Sequence, residues 1–200
     1  MTQNKTSSWE ERYRGQSVET MPWYYPHLDP DFKRTLASLN VKDGTALDLG
    51  TGPGTQSFEL AKIGFSVMAT DISPSAIDQA IAKAEADGLD IDFKQDDIIK
   101  TRLEGQFDYI FDRGLFHVLE PDTRATYAKT IMKLLAPEGY LLLKCFSYKE
   151  PGNSGPHRLS PDDIRKTFGR RLKIISIVDT VFLGQKKARP KALFCLLTSL

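Results

Sequence analysis

The chain has 200 residues, of which 40% are hydrophobic, and this size and composition predict one domain with a substantial core. Its 27 basic and 26 acidic side chains nearly balance, which argues against general binding to nucleic acid or to a membrane surface. No segment approaches the roughly 18 apolar residues of a membrane span, and the polar start MTQNKTSSWEERYRG lacks the apolar stretch of a secretory signal, so we expect a cytoplasmic protein.

The first forty residues differ in character from the rest. They contain both tryptophans and three of the seven tyrosines, and the stretch MPWYYPHLDP is too rich in proline for one continuous helix. We expect residues 1–40 to form a cap and residues 41–200 to form the core of a single domain, 1–200. The aromatic side chains of the cap either anchor it to the core or line a pocket, and both interpretations are kept.

From residue 45 onward, short apolar segments alternate with amphipathic stretches. The predicted strands are 45–50, 65–70, 91–95, 107–112, 140–146, 172–180 and 192–200. The predicted helices are 56–63, 74–87, 123–135 and 160–169. Ser73 before Pro74 is typical of a helix start, and Gly88 is typical of a helix end. This alternation predicts an α/β fold with a seven-stranded, mostly parallel sheet and helices on both faces.

Two cysteines, Cys145 and Cys195, lie in apolar segments. They show no CxxC spacing and have no neighbouring histidine, so we expect no metal site. Because the chain shows no secretory signal, reduced thiols in the core are the preferred interpretation, and a buried disulfide is the alternative.

Three closely spaced glycines follow the first predicted strand. In a parallel sheet the ligand lies beyond the carboxyl ends of the strands, and the loop after the first strand approaches it most closely. Gly50, Gly52 and Gly54 occupy that loop, where glycine lets the backbone turn sharply and press against a ligand. The dinucleotide fingerprint G-x-G-x-x-G would need its third glycine at Thr55. This spacing argues against a nicotinamide-dependent oxidoreductase, which we keep as an alternative.

The glycine loop is preceded by an acid, and further acids follow the next two strands. Asp48 stands two residues before G-x-G-x-G, Asp71 ends the second strand, and Asp97 follows the third. This pattern resembles motif I and the following strand ends of the Rossmann-like class I S-adenosylmethionine-dependent methyltransferases. The resemblance implies that Asp71 accepts the ribose hydroxyls and that Asp97, or its rival Asp96, accepts the adenine amino group. The cofactor-binding residues implied in this half are Asp48, Gly50, Thr51, Gly52, Gly54, Asp71, Ile72, Asp97 and Ile98.

The segment FDYIFDRGLFHVLE, residues 107–120, matches the region of the same family that faces the transferring methyl group. The resemblance implies Asp112 and His117 as catalytic candidates, Asp112 and Arg113 as cofactor-binding residues, and Phe116 as a substrate-binding residue. His117 could act as a general base, because the unperturbed pKa of histidine is about 6.5. A purely structural histidine is the alternative.

The N-terminal WEERY followed by MPW is similar to the entry segment of the thiopurine, thiol or halide, and tellurite-resistance types of methyltransferase. Aromatic side chains close over the sulfonium there, which implies this role for Trp9, Tyr13 and Trp23. We expect a small-molecule acceptor, with a thiol or another soft nucleophile such as tellurite, selenite or a halide favoured. DRGL replaces the N/D-P-P-Y-like motif of nucleic-acid methylation, so no nucleic-acid partner is expected. A non-catalytic S-adenosylmethionine-binding regulator is a further alternative.

The C-terminal part of the chain is locally basic. Between residues 158 and 191, ten basic side chains stand against three acids. This bias predicts either a solvated face or a site that attracts an anionic acceptor. We expect His157 and Arg158 to reach toward the substrate from the loop after the fifth strand, and the chain to act as a monomer or a weak homodimer.

Overall fold

The structure, a computed structural model, describes residues 3–185 and 189–200. Lys186 and Lys187, two of the ten basic residues counted above, lie outside the described residues. The described chain forms two compact units, residues 3–97 with 183–185 and residues 98–182 with 189–200. The division into a cap and one core domain stays a prediction. None of the helices in the described ranges has the length and apolarity needed to cross a membrane.

The first unit begins with the segment that was expected to be a proline-rich cap. It contains α1 (Gln3–Gly15), a 3-10 turn (Val18–Thr20) and α2 (Pro30–Ser38), followed by β1 (Gly44–Leu49), α3 (Thr55–Ile63), β2 (Phe65–Asp71), α4 (Pro74–Asp87) and β3 (Ile91–Gln95). The Asp29 side chain caps α2 by accepting from the Asp31 amide, and Pro30 occupies the first turn. The prolines of this segment therefore delimit helices and do not exclude them.

The second unit contains β4 (Phe107–Arg113), a 3-10 turn (Phe116–Val118), α5 (Arg124–Leu134), β5 (Leu135–Phe146), α6 (Pro161–Phe168), β6 (Leu172–Val181) and β7 (Lys191–Ser199). Strand β5 begins five residues before its predicted start at 140. Leu135 pairs with Phe107 and Tyr140 pairs with Tyr109, with a register shift between the two pairs. Residues 136–139 were expected to lie between the helix and the strand, and the structure includes them in β5 as a bulge.

The seven strands form one sheet in the order β3-β2-β1-β4-β5-β7-β6. Strand β2 pairs in parallel with β1 and β3, and β4 pairs in parallel with β5, whereas β7 is antiparallel to both β5 and β6. The connection between β6 and β7, residues 182–190, is shorter than the dozen or so residues that a parallel crossover needs, which fits their antiparallel pairing. The predicted seven-stranded, mostly parallel α/β architecture is confirmed.

Local signals in the sequence match the observed ends of α4. The Ser73 hydroxyl accepts from the Ala76 amide at 3.2 Å, and Gly88 closes the helix in the left-handed conformation with φ of 66°. Cys145 and Cys195 are buried and free, which confirms the preferred interpretation of reduced thiols in the core.

Candidate cofactor and acceptor sites

The glycine loop after β1 uses positive φ at each of its three glycines, with 64° at Gly50, 55° at Gly52 and 83° at Gly54. A Cβ on Gly54 would lie 2.6 Å from the Phe58 ring, and a Cβ on Gly52 would lie 2.9 Å from the Tyr13 hydroxyl. Side chains at these two positions would therefore face both an unfavourable backbone conformation and a steric clash.

Asp48 stabilises this loop by accepting two hydrogen bonds from hydroxyl groups. Its Oδ2 accepts from the Thr51 hydroxyl at 2.7 Å and from the Ser57 hydroxyl at 2.6 Å, and the side chain is buried. Asp48 thereby ties the loop to the first turn of α3. Ser57 had not been singled out, because nothing in its local sequence indicates a partner nine residues earlier.

Asp71 lies at the end of β2 and stabilises the same loop through the Gly52 amide. Its Oδ2 accepts from the Gly52 amide and its Oδ1 accepts from the Ser73 amide, both at 2.9 Å. Burial raises the pKa of this carboxyl, and hydrogen bonds from the amides of Ser73, Gly52 and Ile72 oppose the shift. A carboxylate has about four acceptor positions, so Asp71 can accept a further donor such as a ribose hydroxyl. The residues present therefore fit S-adenosylmethionine.

The two acids after β3, Asp96 and Asp97, are not distinguished by their burial. Asp96 and Asp97 are both half-buried, and the Asp96 amide donates to the Asp71 carbonyl at 2.9 Å. Ile98, another of the implied cofactor-binding residues, has a buried side chain. The assignment of adenine to Asp97 stays a prediction, as do the roles of Thr51 and Ile72.

The N-terminal aromatic residues form one cluster. Trp9 stacks on Tyr13 with ring centroids 6.1 Å apart and meets Trp23 edge-on at 5.7 Å. The Arg12 guanidinium lies over both tryptophan rings, at 5.3 and 5.4 Å. Burial raises the pKa of the Tyr13 hydroxyl, which also has a hydrogen bond with Trp23. The three predicted aromatic residues are therefore neighbours, and their closure over the sulfonium stays a prediction.

Glu10, beside Trp9 in WEERY, is a functional candidate that sequence reasoning missed. Its carboxylate accepts from Ser73 Oγ at 2.7 Å, from the Ser75 amide at 3.0 Å and from Ser75 Oγ at 2.6 Å. These hydrogen bonds, led by that of the Ser75 side chain, lower the pKa of Glu10 to about 2. The available signal was the Ser-Pro-Ser start of α4, since a helix N-terminus with two hydroxyls attracts a carboxylate.

Asp112, a predicted catalytic and cofactor-binding residue at the end of β4, is completely buried. Its carboxylate accepts from the amides of Gly114, Leu115 and Phe116 and from the Tyr127 hydroxyl, the last at 2.6 Å. Burial raises its pKa to about 6 despite these donors. The four donors fill its acceptor positions, which favours a structural role in the turn after β4.

His117 lies in the same turn and is buried as well. Its Nδ1 accepts from the Phe146 amide at 2.9 Å, so the neutral ring carries its hydrogen on Nε2. Burial, followed by the nearby His157 and Arg113, lowers the pKa of His117 to about 3. The ring packs edge-on against Phe146 at 4.8 Å and Phe182 at 5.6 Å. His117 is therefore a hydrogen-bond donor at neutral pH, which weakens its predicted role as a general base.

Arg113 and Phe116, which precede His117 in the same segment, differ in placement. The Arg113 guanidinium is half-buried and lies 5.5 Å from the Phe182 ring. Phe116 is fully buried between Tyr127 and Phe168, at 5.2 and 5.3 Å between ring centroids. This placement makes Phe116 a core residue and gives its predicted substrate contact no support.

The loop after β5 carries the other two predicted substrate residues. Arg158 donates to the carbonyl oxygens of Pro151, Ser154 and Pro156 at 2.8 to 3.1 Å. Its guanidinium also lies 5.9 Å from the Phe146 ring. His157 is half-buried, with its Nε2 3.4 Å from a carboxylate oxygen of Glu120. Arg158 thus orders the loop by donating to the loop's carbonyl groups, whereas the His157 side chain lies beside Glu120.

Comparison with known proteins agrees with this geometry. The methyltransferase domain family matches residues 46–139. The chain is 29% identical over 174 residues to 2-heptyl-1-hydroxyquinolin-4(1H)-one methyltransferase of Mycobacteroides abscessus, a match that covers 83% of this chain and 76% of the relative. It is 26% identical over 195 residues to probable thiol methyltransferase 2 of Arabidopsis thaliana, covering 96% and 85%.

A solved structure gives the same result. It is reported for the conversion of a disulfide bond into a thioacetal group during echinomycin biosynthesis, and it superposes with a TM-score of 0.85 at 25% identity over 98% of this chain and 93% of that one. These findings favour a methyltransferase over a nicotinamide-dependent oxidoreductase and a non-catalytic regulator, and they support S-adenosylmethionine as the cofactor. The fold and these similarities are those of the class I S-adenosylmethionine-dependent methyltransferases.

Proposed function

We propose that the chain transfers a methyl group from S-adenosylmethionine to a small-molecule acceptor with a soft or readily ionised nucleophilic atom, and that this atom is a thiol sulfur. The observation that carries the proposal is the hydrogen-bond state of His117. Its Nδ1 accepts a backbone N–H and its pKa is about 3, so the ring is neutral and carries its hydrogen on Nε2. Such a ring donates a hydrogen bond and is a poor general base.

An acceptor for such a site must lose its proton without help from His117. A free thiol has a pKa of about 8.5, so a useful fraction is already thiolate near neutral pH. An ordinary alcohol would need a strong base. The Phe146 and Phe182 rings beside His117 suit a polarisable or apolar acceptor.

The cofactor supplies an electrophilic methyl group on a positively charged sulfur. The acceptor thiol releases its proton to water, and a bond then forms between the thiolate sulfur and the methyl carbon while the bond from that carbon to the cofactor sulfur breaks. The electron pair of the broken bond stays on the cofactor sulfur. We propose that Asp71 and the glycine loop hold the cofactor in the orientation that this displacement needs. Alignment of this kind can contribute about 7–11 kcal/mol.

Two of the similar proteins favour sulfur as the accepting atom. The Arabidopsis thaliana relative is described as a probable thiol methyltransferase, and the solved structure is reported for a reaction that converts a disulfide bond into a thioacetal group. Both cover more than nine tenths of this chain. Together with a histidine that is a poor base, they support a thiolate acceptor.

An acidic hydroxyl on a heteroaromatic ring is the second candidate acceptor. The Mycobacteroides abscessus relative is named for a hydroxyquinolinone, and the paired rings of Phe146 and Phe182 could stack on a flat acceptor. Such a hydroxyl also ionises without a strong base. This candidate therefore shares the central requirement of the thiol proposal.

A panel of acceptors at several pH values tests the proposal. We expect turnover of aliphatic and aromatic thiols above that of amines and alcohols, with hydroxyquinolinone, selenite, tellurite and halide as further arms. The pH at which kcat/KM levels off should follow the pKa of each acceptor, because His117 does not titrate near neutrality. A single inflection near pH 6.5 for every acceptor would instead identify His117 as the base, and preference for an amine would refute the acceptor class.

A further inference from the structure

We propose that Glu10 is a positioning residue that fastens helix α1 to the start of α4 and so keeps Tyr13 against the cofactor loop. Its carboxylate, only 15% exposed, accepts three hydrogen bonds from residues more than sixty positions away. Two come from Ser75 and one from Ser73, so both carboxylate oxygens are engaged. The first turn of α4 favours a negative charge at this place because its amides and its dipole point toward it.

A second connection holds the same helix one turn further along α4. The Gln79 side-chain amide donates to the Tyr13 carbonyl at 2.7 Å. Around these two attachments, the side chains of Tyr13, Val18, Met21 and Ala76 form a buried cluster, with Trp9 and Trp23 packed against it. The polar attachments therefore set the register of the helix, and the apolar cluster supplies the contact area.

The hydrogen bonds of Glu10 continue to Asp71 and the glycine loop, which we propose hold the cofactor. The Ser73 hydroxyl donates to Glu10, and the Ser73 amide donates to Asp71, whose other oxygen accepts the Gly52 amide. Tyr13 returns to the same glycine, with its hydroxyl 2.9 Å from the position that a Cβ on Gly52 would occupy. This inference rests on the proposed role of Asp71 in holding the ribose.

The network implies that loss of the Glu10 carboxylate frees α1 from α4 and uncovers the glycine loop. Tyr13 and Trp9 are the apolar side chains that the mostly polar α1, QNKTSSWEERYRG, brings to this cluster, so few apolar contacts would hold the helix once the Glu10 hydrogen bonds are lost. Cofactor that enters the loop would then leave faster. We expect the effect on cofactor affinity and dissociation, with kcat at saturating cofactor retained.

Tryptophan fluorescence reports on this helix selectively, because the chain has two tryptophans and both belong to the aromatic cluster. In cofactor-free protein, we expect Glu10→Ala to raise the acrylamide quenching constant at least twofold. Glu11→Ala is the matched control, since Glu11 is an exposed neighbour on the same helix. Glu10→Gln is a milder second variant: its oxygen can still accept from Ser73 Oγ and the Ser75 amide, but it loses the negative charge, and an intermediate increase is expected.

Calorimetry and stopped-flow binding with S-adenosylmethionine complete the test. Glu10→Ala should raise the cofactor Kd about tenfold through faster dissociation, and Glu11→Ala should bind normally. Unchanged quenching in both Glu10 variants would overturn the proposal, and so would increased quenching with an unchanged Kd, because the contact would then be purely structural. Normal cofactor binding by Asp71→Ala would refute the ribose assignment and not the fastening, which quenching measures without cofactor.

Discussion

Asp71 in the first unit and Asp112 in the second stand at the same kind of place, the carboxyl end of a parallel strand, and differ in what surrounds them. Asp71 accepts from loop amides and keeps room for a further donor. Asp112 has no exposed surface and accepts hydrogen bonds from three backbone amides and from the Tyr127 hydroxyl. A buried acid at a strand end can therefore be either a ligand-binding group or a support for its own turn, and its filled acceptor positions distinguish the two.

Replacement of Asp112 should have the largest effect, and it tests the structural half of this comparison. Asp112→Ala is expected to lower the free energy of unfolding by more than about 3 kcal/mol, because each buried donor left without an acceptor costs about 1–3 kcal/mol. Asp112→Asn keeps an acceptor oxygen and should lose less. Denaturant unfolding measures both variants. A stable Asp112→Ala protein without turnover would identify Asp112 as catalytic and contradict the structural role that distinguishes it from Asp71.

The buried state of His117 predicts a pH dependence of stability. Its pKa is about 3 in the folded chain and about 6.5 in the unfolded chain, so below pH 6.5 the unfolded chain binds the extra proton. Stability is therefore present above pH 6.5 and lost toward pH 3, by about 1.4 kcal/mol per pH unit. His117→Asn should remove this contribution, since asparagine can accept from Phe146 without titrating. Identical slopes for the two proteins between pH 6 and pH 4 would contradict a buried, neutral His117.

Replacement of Asp71 tests the binding half of the comparison. Asp71→Ala removes a charged acceptor, which costs about 1.5–3 kcal/mol, so the Kd for S-adenosylmethionine should rise more than tenfold. Calorimetry measures the Kd, and denaturant unfolding should show a smaller loss than for Asp112→Ala. Unchanged affinity in the folded variant would remove Asp71 from the cofactor site.

The smallest effect is expected at Arg158, whose guanidinium orders the loop after β5 by donating to three of the loop's carbonyl oxygens. Arg158→Ala should raise the KM for the acceptor a few-fold with little change in kcat, because a partly exposed loop contact contributes about 1 kcal/mol. Proteolysis within residues 150–158 should also become faster. Arg165→Ala is the control, since Arg165 pairs on the surface with Asp162. A fall in kcat at constant KM would place Arg158 at the reacting atoms.

Much of the fold and part of the site could be predicted because the signals are local. Strand β3 begins and ends at the predicted residues 91 and 95, and α4 has the serine cap and the glycine end that its sequence indicates. The three glycines and Asp71 meet because a motif read along β1 and β2 places them at adjacent strand ends.

The amino-acid sequence by itself determined the alternation of strands and helices, the loop that takes positive φ, and the acids at the strand ends, since each depends on residues close together in the chain. Only the tertiary structure decided that Asp112 supports its turn, that Phe116 joins Tyr127 in the core, and that Glu10 reaches Ser73 and Ser75. A carboxylate or a ring has the same chemistry wherever it stands. Its role follows from the donors and surfaces that distant segments bring to it, and these exist only once the chain has folded.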